Sequence, residues 1–213
     1  MKNILWTPSK LATLFDVDWN STQLKKAAVN LGLGTFEVSI SGGAVVRTLM
    51  GTDIFKGDID IFPHTFDALE RLTKHFAEYD IKESKHAMSF DYVDGVRKTK
   101  VQIITKYNPV LGIEQTLNSF DLEHCKFAYY PKGDILVTSN ASPICLAQRQ
   151  IRLANVTSPH YTMGRVIKYK RLGFEADKAI ELLTGMIIRR EDGEDFSDFT
   201  AVDLELTLSK GSS

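Results

Sequence analysis

Cysteine is scarce in this chain: Cys125 and Cys145 are the only two among 213 residues. With no Cys-x-x-Cys pair, neither a disulfide framework nor a thiolate zinc site is implied, and core packing is their expected role. An excess of either charge is lacking too, since 26 Lys+Arg stand against 27 Asp+Glu for a net charge of −1. That balance excludes a globally basic coat for nucleic acid, and 43% hydrophobic residues exclude disorder by composition. No apolar run approaches the roughly 18 residues of a membrane helix. The opening MKNILWTPSK has no stretch of signal-peptide length and no small-residue cleavage site. The five histidines (His64, His75, His86, His124, His160) are scattered, form no ligand set, and are expected at the surface or as caps. The expectation is a soluble cytosolic protein (in host cytoplasm if viral) without a membrane partner, one large domain or two small ones. Oligomeric state is not legible.

What is present divides into a mixed α/β part and a helical part. Residues 1–30 read as mostly helical, with Leu24, Ala27, Ala28 and Leu31 apolar behind a cap at Ser21 or Thr22. TFEVSI at 35–40 alternates as a strand, a short helix carries Val45, Val46, Leu49 and Met50, and Asp58–Phe62 alternates again. Phe66, Leu69, Leu72 and Phe76 recur at helical spacing over 65–79. Two strands at 86–93 and 99–105 flank a turn at Asp94-Gly95, and a helix near 112–118 precedes strands near 123–130 and 135–138. Helices are expected at 144–154, 160–172 and 175–189, with the acidic 191–198 solvated and Lys210–Ser213 a loose end or cloning remnant. No internal repeat or low-complexity tract interrupts this order. The fold class is α+β: a mixed sheet flanked by helices over 1–140, then a helical region over 141–213.

The chemistry-bearing stretch is 40–62. Ser41-Gly42-Gly43 stands where a strand turns into a helix, and paired glycines there let the backbone approach a phosphate closely. A helix starting at that point aims amide N–H groups and its positive dipole end at an anion. Asp58 and Asp60 lie two apart on a strand, so both carboxylates share one face while Ile59 and Ile61 point the other way. Two carboxylates aimed at one spot repel unless a cation lies between them, and an oxygen-only donor set selects a hard ion such as Mg²⁺. A triphosphate at the glycine turn with Mg²⁺ on the Asp pair is the arrangement of two-metal phosphoryl transfer.

Gly-Gly-Ala-Val-Val-Arg-x-Leu-x-Gly followed by Asp-Ile-Asp-Ile resembles the signature of the DNA polymerase beta-type nucleotidyltransferase superfamily. Within it the motif is most similar to tRNA CCA-adding enzymes and bacterial poly(A) polymerases, and the chain also resembles viral and phage nucleotidyltransferase-like proteins. The likeness is close over 38–62 and extends in topology to about 130; the spacing from Gly43 to Asp58 is slightly long for the family, and its later base-reading motifs are not matched. The resemblance implies a nucleotidyltransferase fold and transfer of an NMP from an NTP to a hydroxyl acceptor such as an RNA or tRNA 3′ end. It implies Asp58 and Asp60 as catalytic metal ligands and Ser41, Gly42 and Gly43 at the triphosphate. It also implies a third carboxylate on a neighbouring strand. Gln102 occupies the place where that group is sought, and Asp121 is the next candidate; both stay open, with Asp121 taken as the third catalytic and metal-binding carboxylate.

Arg47 has two readings, toward the triphosphate or paired with Asp53, and Lys56 reads as a solvated loop residue. Arg165 and Lys168, with Lys170 or Arg171, form a basic stripe, either a solvated face or a contact for triphosphate or RNA backbone. Arg149 and Arg152 are weaker versions of it. Two rival functions remain: a catalytically degenerate nucleotide-binding module, and a toxin-like transferase modifying tRNA or protein.

Overall fold

The computed structural model describes residues 3–106 and 111–191, so the expectations for 192–198 and 210–213 lie outside the described residues. Two compact units form. Residues 3–106, 111–117 and 125–140 make the first; 118–124 and 141–191 make the second.

The first unit carries one eight-stranded mixed sheet. In chain order its elements are β1 (Asn3–Trp6), α1 (Pro8–Thr13), α2 (Gln23–Asn30), β2 (Val38–Ser41), α3 (Gly43–Leu49), β3 (Ile59–Pro63), α4 (Phe66–His75), β4 (Lys82–Glu83), β5 (Ala87–Asp94), β6 (Arg97–Ile104), α5 (Ile113–Asn118), β7 (Phe127–Tyr130) and β8 (Ile135–Ser139). The strands lie in the order β1-β8-β7-β2-β3-β6-β5-β4. The β3–β6 pair is parallel and the other neighbours are antiparallel.

Register sorts side chains onto two faces, because residues directly opposite one another in a sheet point the same way. One row runs Tyr129, Ile40, Ile61, Ile103 and Met88, with Ile59, Val101 and Phe90 beside it. These build the core. Fully buried Trp19 meets Tyr129 edge-on with ring centroids 5.0 Å apart, and Phe76 beyond α4 meets Phe90 at 4.6 Å. The opposite face carries Ser41, Asp60, Gln102, Ser89 and Lys82 in a single transverse row.

Several expectations are corrected. Residues 3–6 are not helical: they pair antiparallel with β8, and the helix begins only at Pro8, where a missing N–H costs nothing. In α4 the inward stripe is Ala68, Leu72 and then Phe76, whereas Phe66 is exposed. Thr65 caps that helix by accepting from Ala68 N–H at 3.0 Å. The strand sought at 123–130 starts at Phe127, behind a 3₁₀ turn over Glu123–Cys125.

The second unit holds α6 (Ser142–Ala147), α7 (Pro159–Lys170) and α8 (Asp177–Glu191), making eight α-helices among the described residues. The helix expected over 144–154 stops at Ala147 because Arg149 turns left-handed (φ 50°) and the backbone goes extended. Ile151 N–H then bonds Glu175 C=O at 3.0 Å, and Leu122 bridges Leu153. Val166, Tyr169, Phe174, Leu183 and Met186 fill this unit's interior.

Candidate active site

The turn from β2 into α3 is built on Gly42. Its φ of 72° with ψ of −130° is a conformation that a residue with a Cβ avoids. The Gly42 N–H bonds Phe127 C=O at 3.0 Å, and its own carbonyl accepts the first helical bond from Val46 N–H at 3.1 Å. The first-turn N–H groups of a helix have no intrahelical acceptor, so Gly43 onward presents donors for an anion.

Asp58 and Asp60 reach one face of the sheet by strand alternation. Ile59 and Ile61 between and beyond them are fully buried, which fixes the phase of the strand; Asp58 is exposed and Asp60 half-buried. The approach to Asp58 is pinned twice. The Arg47 guanidinium donates to Asp58 C=O at 2.6 Å, and the Thr99 hydroxyl donates to Gly57 C=O at 2.8 Å. Gly57 is extended, so its glycine serves space rather than dihedral freedom: a Cβ there would lie 2.6 Å from Arg47 Nη1. The pairing of Arg47 with Asp53 is not what holds Arg47 here. The Asp53 carboxylate instead caps the turn at Ile54–Lys56 by accepting from Phe55 N–H at 3.0 Å, and Arg47 lies nearly buried against the strand that bears the carboxylates. Lys56 is exposed, as expected of a loop residue.

Beside the Asp pair stands Gln102, the register partner of Asp60 on parallel β6. Its amide faces both carboxylates, and with the nitrogen turned toward them it donates to Asp60 Oδ1 at 3.1 Å and Asp58 Oδ2 at 3.3 Å. Among the described residues no group of three or more His, Cys, Asp or Glu gathers to hold a metal. The local donor set is therefore two carboxylates and one neutral amide. The two carboxylates are hard oxygen donors, which fits Mg²⁺ with one unit less negative charge than three carboxylates would supply.

Ser41 is fully buried, and its hydroxyl meets Ser39 Oγ at 2.9 Å. Ser39 Oγ in turn meets His64 Nε2 at 2.9 Å, and His64 Nδ1 meets Leu111 C=O at 2.8 Å. A carbonyl only accepts, so Nδ1 carries the proton of neutral His64. Nε2 then accepts from Ser39, and Ser41 donates to Ser39. Burial holds the His64 pKa below its usual value, partly offset by the Leu111 bond and the Glu37 charge. Ser41 thus supports the turn from beneath. The adjacent sequence carried no signal for this chain of hydrogen bonds, which depends on Leu111.

In the second unit, Asp121 is already provided for. Its Oδ2 accepts from the Thr162 hydroxyl at 2.7 Å and from Arg165 at 2.6 Å. Along the basic stripe Lys170 pairs with Asp177 at 2.6 Å, while Lys168 and Arg171 are exposed. Arg149 reaches Leu172 C=O and Arg152 reaches Gln150. Against the expectation of surface histidines, His124 is fully buried against Tyr169 and Phe174, at ring centroid distances of 4.3 and 4.7 Å. Neither ring nitrogen of His124 has a hydrogen-bond partner, and burial lowers its pKa to about 4 despite the nearby Glu123 charge. Cys125 and Cys145 are buried and form no disulfide, in keeping with core packing; burial pushes the Cys145 thiol pKa up.

Among solved structures the chain is similar to a CCA-adding enzyme in complex with ATP, at 20% identity and TM-score 0.61, covering 89% of this chain and 47% of that one. A CCA-adding enzyme in complex with CTP matches at 21% identity and TM-score 0.60, covering 89% and 46%. The Thermotoga maritima CCA-adding enzyme complexed with tRNA matches at 20% identity and TM-score 0.56, covering 86% and 45%. The chain therefore spans about half the length of these solved relatives, and identities of this size speak for the fold alone, which is nucleotidyltransferase-like. No helix among the described residues is long and apolar enough to cross a membrane. No curated protein matches the chain. A family model for Gabija anti-defense 2 family proteins matches residues 13–149, well over half of the 213, and the chain belongs to that family.

Proposed function

We propose that the protein is a metal-dependent nucleotidyltransferase that moves an NMP from an NTP to a hydroxyl acceptor, with an RNA or tRNA 3′ end as the acceptor class. The carrying observation is the placement of Asp58 and Asp60 on one face of the sheet, in a fold whose solved relatives include complexes with ATP, CTP and tRNA. Asp58 and Asp60 would hold Mg²⁺, with Gln102 beside them. When bound, the metal supplies charge neutralisation at the phosphates and activation of the attacking hydroxyl. The Gly42–Gly43 turn takes the triphosphate on backbone N–H groups. Arg47 and Thr99 fix the strand entry that aims Asp58, and Ser41, Ser39 and His64 hold the turn from below. The acceptor oxygen attacks the α-phosphorus in line, a new P–O bond forms as the α–β bridging bond breaks, pyrophosphate leaves, and the hydroxyl proton passes to solvent. The reaction would run in the cytoplasm. Asp121, the other candidate for the third carboxylate, and Arg165, a candidate phosphate contact, pair with each other and would have to exchange that pairing for metal and nucleotide.

Gln102 favours a second reading, in which the module binds a nucleotide without turning it over. The family's anti-defense description supports a third, an acceptor among the macromolecules of the opposed defence. Incubation with each α-³²P-labelled NTP, Mg²⁺ and total tRNA, beside the Asp58→Asn/Asp60→Asn protein, separates them. Label on RNA that disappears in the double variant is the expected result. Nucleotide binding without label in RNA or in cell extract would establish the second reading, and label on another macromolecule of the extract the third.

A further inference from the structure

Resting on the metal-site reading above, we propose that Gln102 is a built-in stand-in for the divalent cation: its amide holds Asp58 and Asp60 together until a metal arrives with the nucleotide and displaces it. Two carboxylates on one strand face repel each other, and a donor that reaches both offsets part of that repulsion in the metal-free protein. With its amide turned to face the pair, the Gln102 nitrogen is placed to do so, 3.1 Å from Asp60 Oδ1 and 3.3 Å from Asp58 Oδ2. Its position is not adjustable by local slippage. Val101 and Ile103 on either side are fully buried, so β6 cannot shift by one residue without exposing both.

Two consequences follow from the donor chemistry. A cation entering the pair must break both amide hydrogen bonds, which costs binding energy that a third carboxylate would instead have contributed. The remaining charge of the pair is also one unit smaller than that of a three-carboxylate site, and affinity for hard cations follows ligand charge. The site is thereby set to bind metal weakly when empty of nucleotide. Phosphate oxygens of a bound NTP restore the missing charge, so metal and nucleotide enter together. In this site a glutamine is a gate against metal without substrate rather than a lost ligand.

The experiment is Mn²⁺ binding followed by electron paramagnetic resonance, with and without a non-hydrolysable α,β-methylene NTP. It uses the full chain, Gln102→Glu, Gln102→Met and Asp58→Asn/Asp60→Asn. Gln102→Glu should tighten nucleotide-free Mn²⁺ binding by roughly tenfold or more, on the scale seen when the shell around a metal is altered. Gln102→Met keeps the length but lacks the donor, and it should bind Mn²⁺ as tightly as the native protein or more so. The NTP analogue should strengthen Mn²⁺ binding to the native protein more than to Gln102→Glu. Weaker binding by Gln102→Met would overturn the proposal, because the amide would then be a ligand and not a competitor. So would identical Mn²⁺ affinity in native and Gln102→Glu proteins. A double Asp variant that binds Mn²⁺ like the native chain would instead overturn the metal-site reading itself, as would absence of Mn²⁺ binding in all four proteins.

Discussion

Asp58 with Asp60, and Asp121, are carboxylates handled in opposite ways. The sheet pair sits at a half-open face with a neutral amide beside both members, while Asp121 is 9% exposed at its side chain and already holds a cation, Arg165, together with the Thr162 hydroxyl. A carboxylate whose counter-charge comes from its own unit is part of the fold. One that faces a second carboxylate on an open sheet face is instead a candidate for a binding site. Substitutions in the sheet should therefore change chemistry and spare the fold, and substitutions in the second unit should do the reverse.

The largest effect tests the first half of that contrast. Asp58→Asn with Asp60→Asn should reduce NMP transfer by about a thousandfold or more, the scale of removing charge stabilisation at a phosphoryl centre. The same protein should melt at the native temperature or slightly above it, because like-charge repulsion is relieved. A large drop in Tm would break the comparison. The next effect tests the second unit through acid. His124 is held near pKa 4 by burial, against 6.5 when unfolded, so the native state refuses a proton that the unfolded chain accepts. Stability should then fall as pH drops below 6.5 and level off below about 4, losing on the order of 3 kcal/mol from this group. Hydrogen exchange of α7 amides at pH 7 and pH 4 reads it locally, and His124→Phe should remove most of the pH dependence.

How much of this was legible depended on whether the cause was local. The strand–glycine–helix–strand order over 38–62 and the shared face of Asp58 and Asp60 follow from period-two alternation and the freedom of Gly42, both carried within a few residues. The resemblance placed Gln102 at the third-ligand position, yet its bridging of both carboxylates required the β3–β6 register, which joins residues some forty apart. Strand β1 was hidden because its partner lies at the far end of the first unit. The Arg47–Asp53 pairing failed since Asp53 was already spent on a local cap, a competition that charge counting does not see. The burial of His124 depends on Tyr169 and Phe174, so its own neighbours in sequence gave no hint.

Asp121→Ala sharpens the comparison further. It leaves the Thr162 hydroxyl buried without its acceptor, while Arg165, which is 59% exposed at its side chain, can turn to water. The expected loss is about 2 kcal/mol in urea unfolding, and Arg165→Gln should cost less than about 1 kcal/mol. Parity between the two would show that Asp121 is not satisfied mainly by its buried partner.

The smallest effect concerns how the sheet site is aimed. Gly57→Ala demands no unusual dihedral, since the residue is extended, so its cost is purely the contact with Arg47. The guanidinium would have to retreat from a Cβ at 2.6 Å and so loosen its bond to Asp58 C=O. About 1 kcal/mol of stability should be lost, at the low end for overpacking, with a larger proportional loss in Mn²⁺ affinity because Asp58 is no longer held in place. Arg47→Ala removes the obstacle, and in that background Gly57→Ala should be close to neutral. The coupling between the two substitutions is thus the measurement, read from the four proteins of a double-mutant cycle. Equal costs of Gly57→Ala in both backgrounds would mean that Arg47 does not set the path of the strand into the site. The contrast with Asp121, whose guanidinium partner neutralises its carboxylate directly, would then rest on charge alone: near Asp58 the same type of side chain grips the backbone carbonyl of the residue that bears the carboxylate.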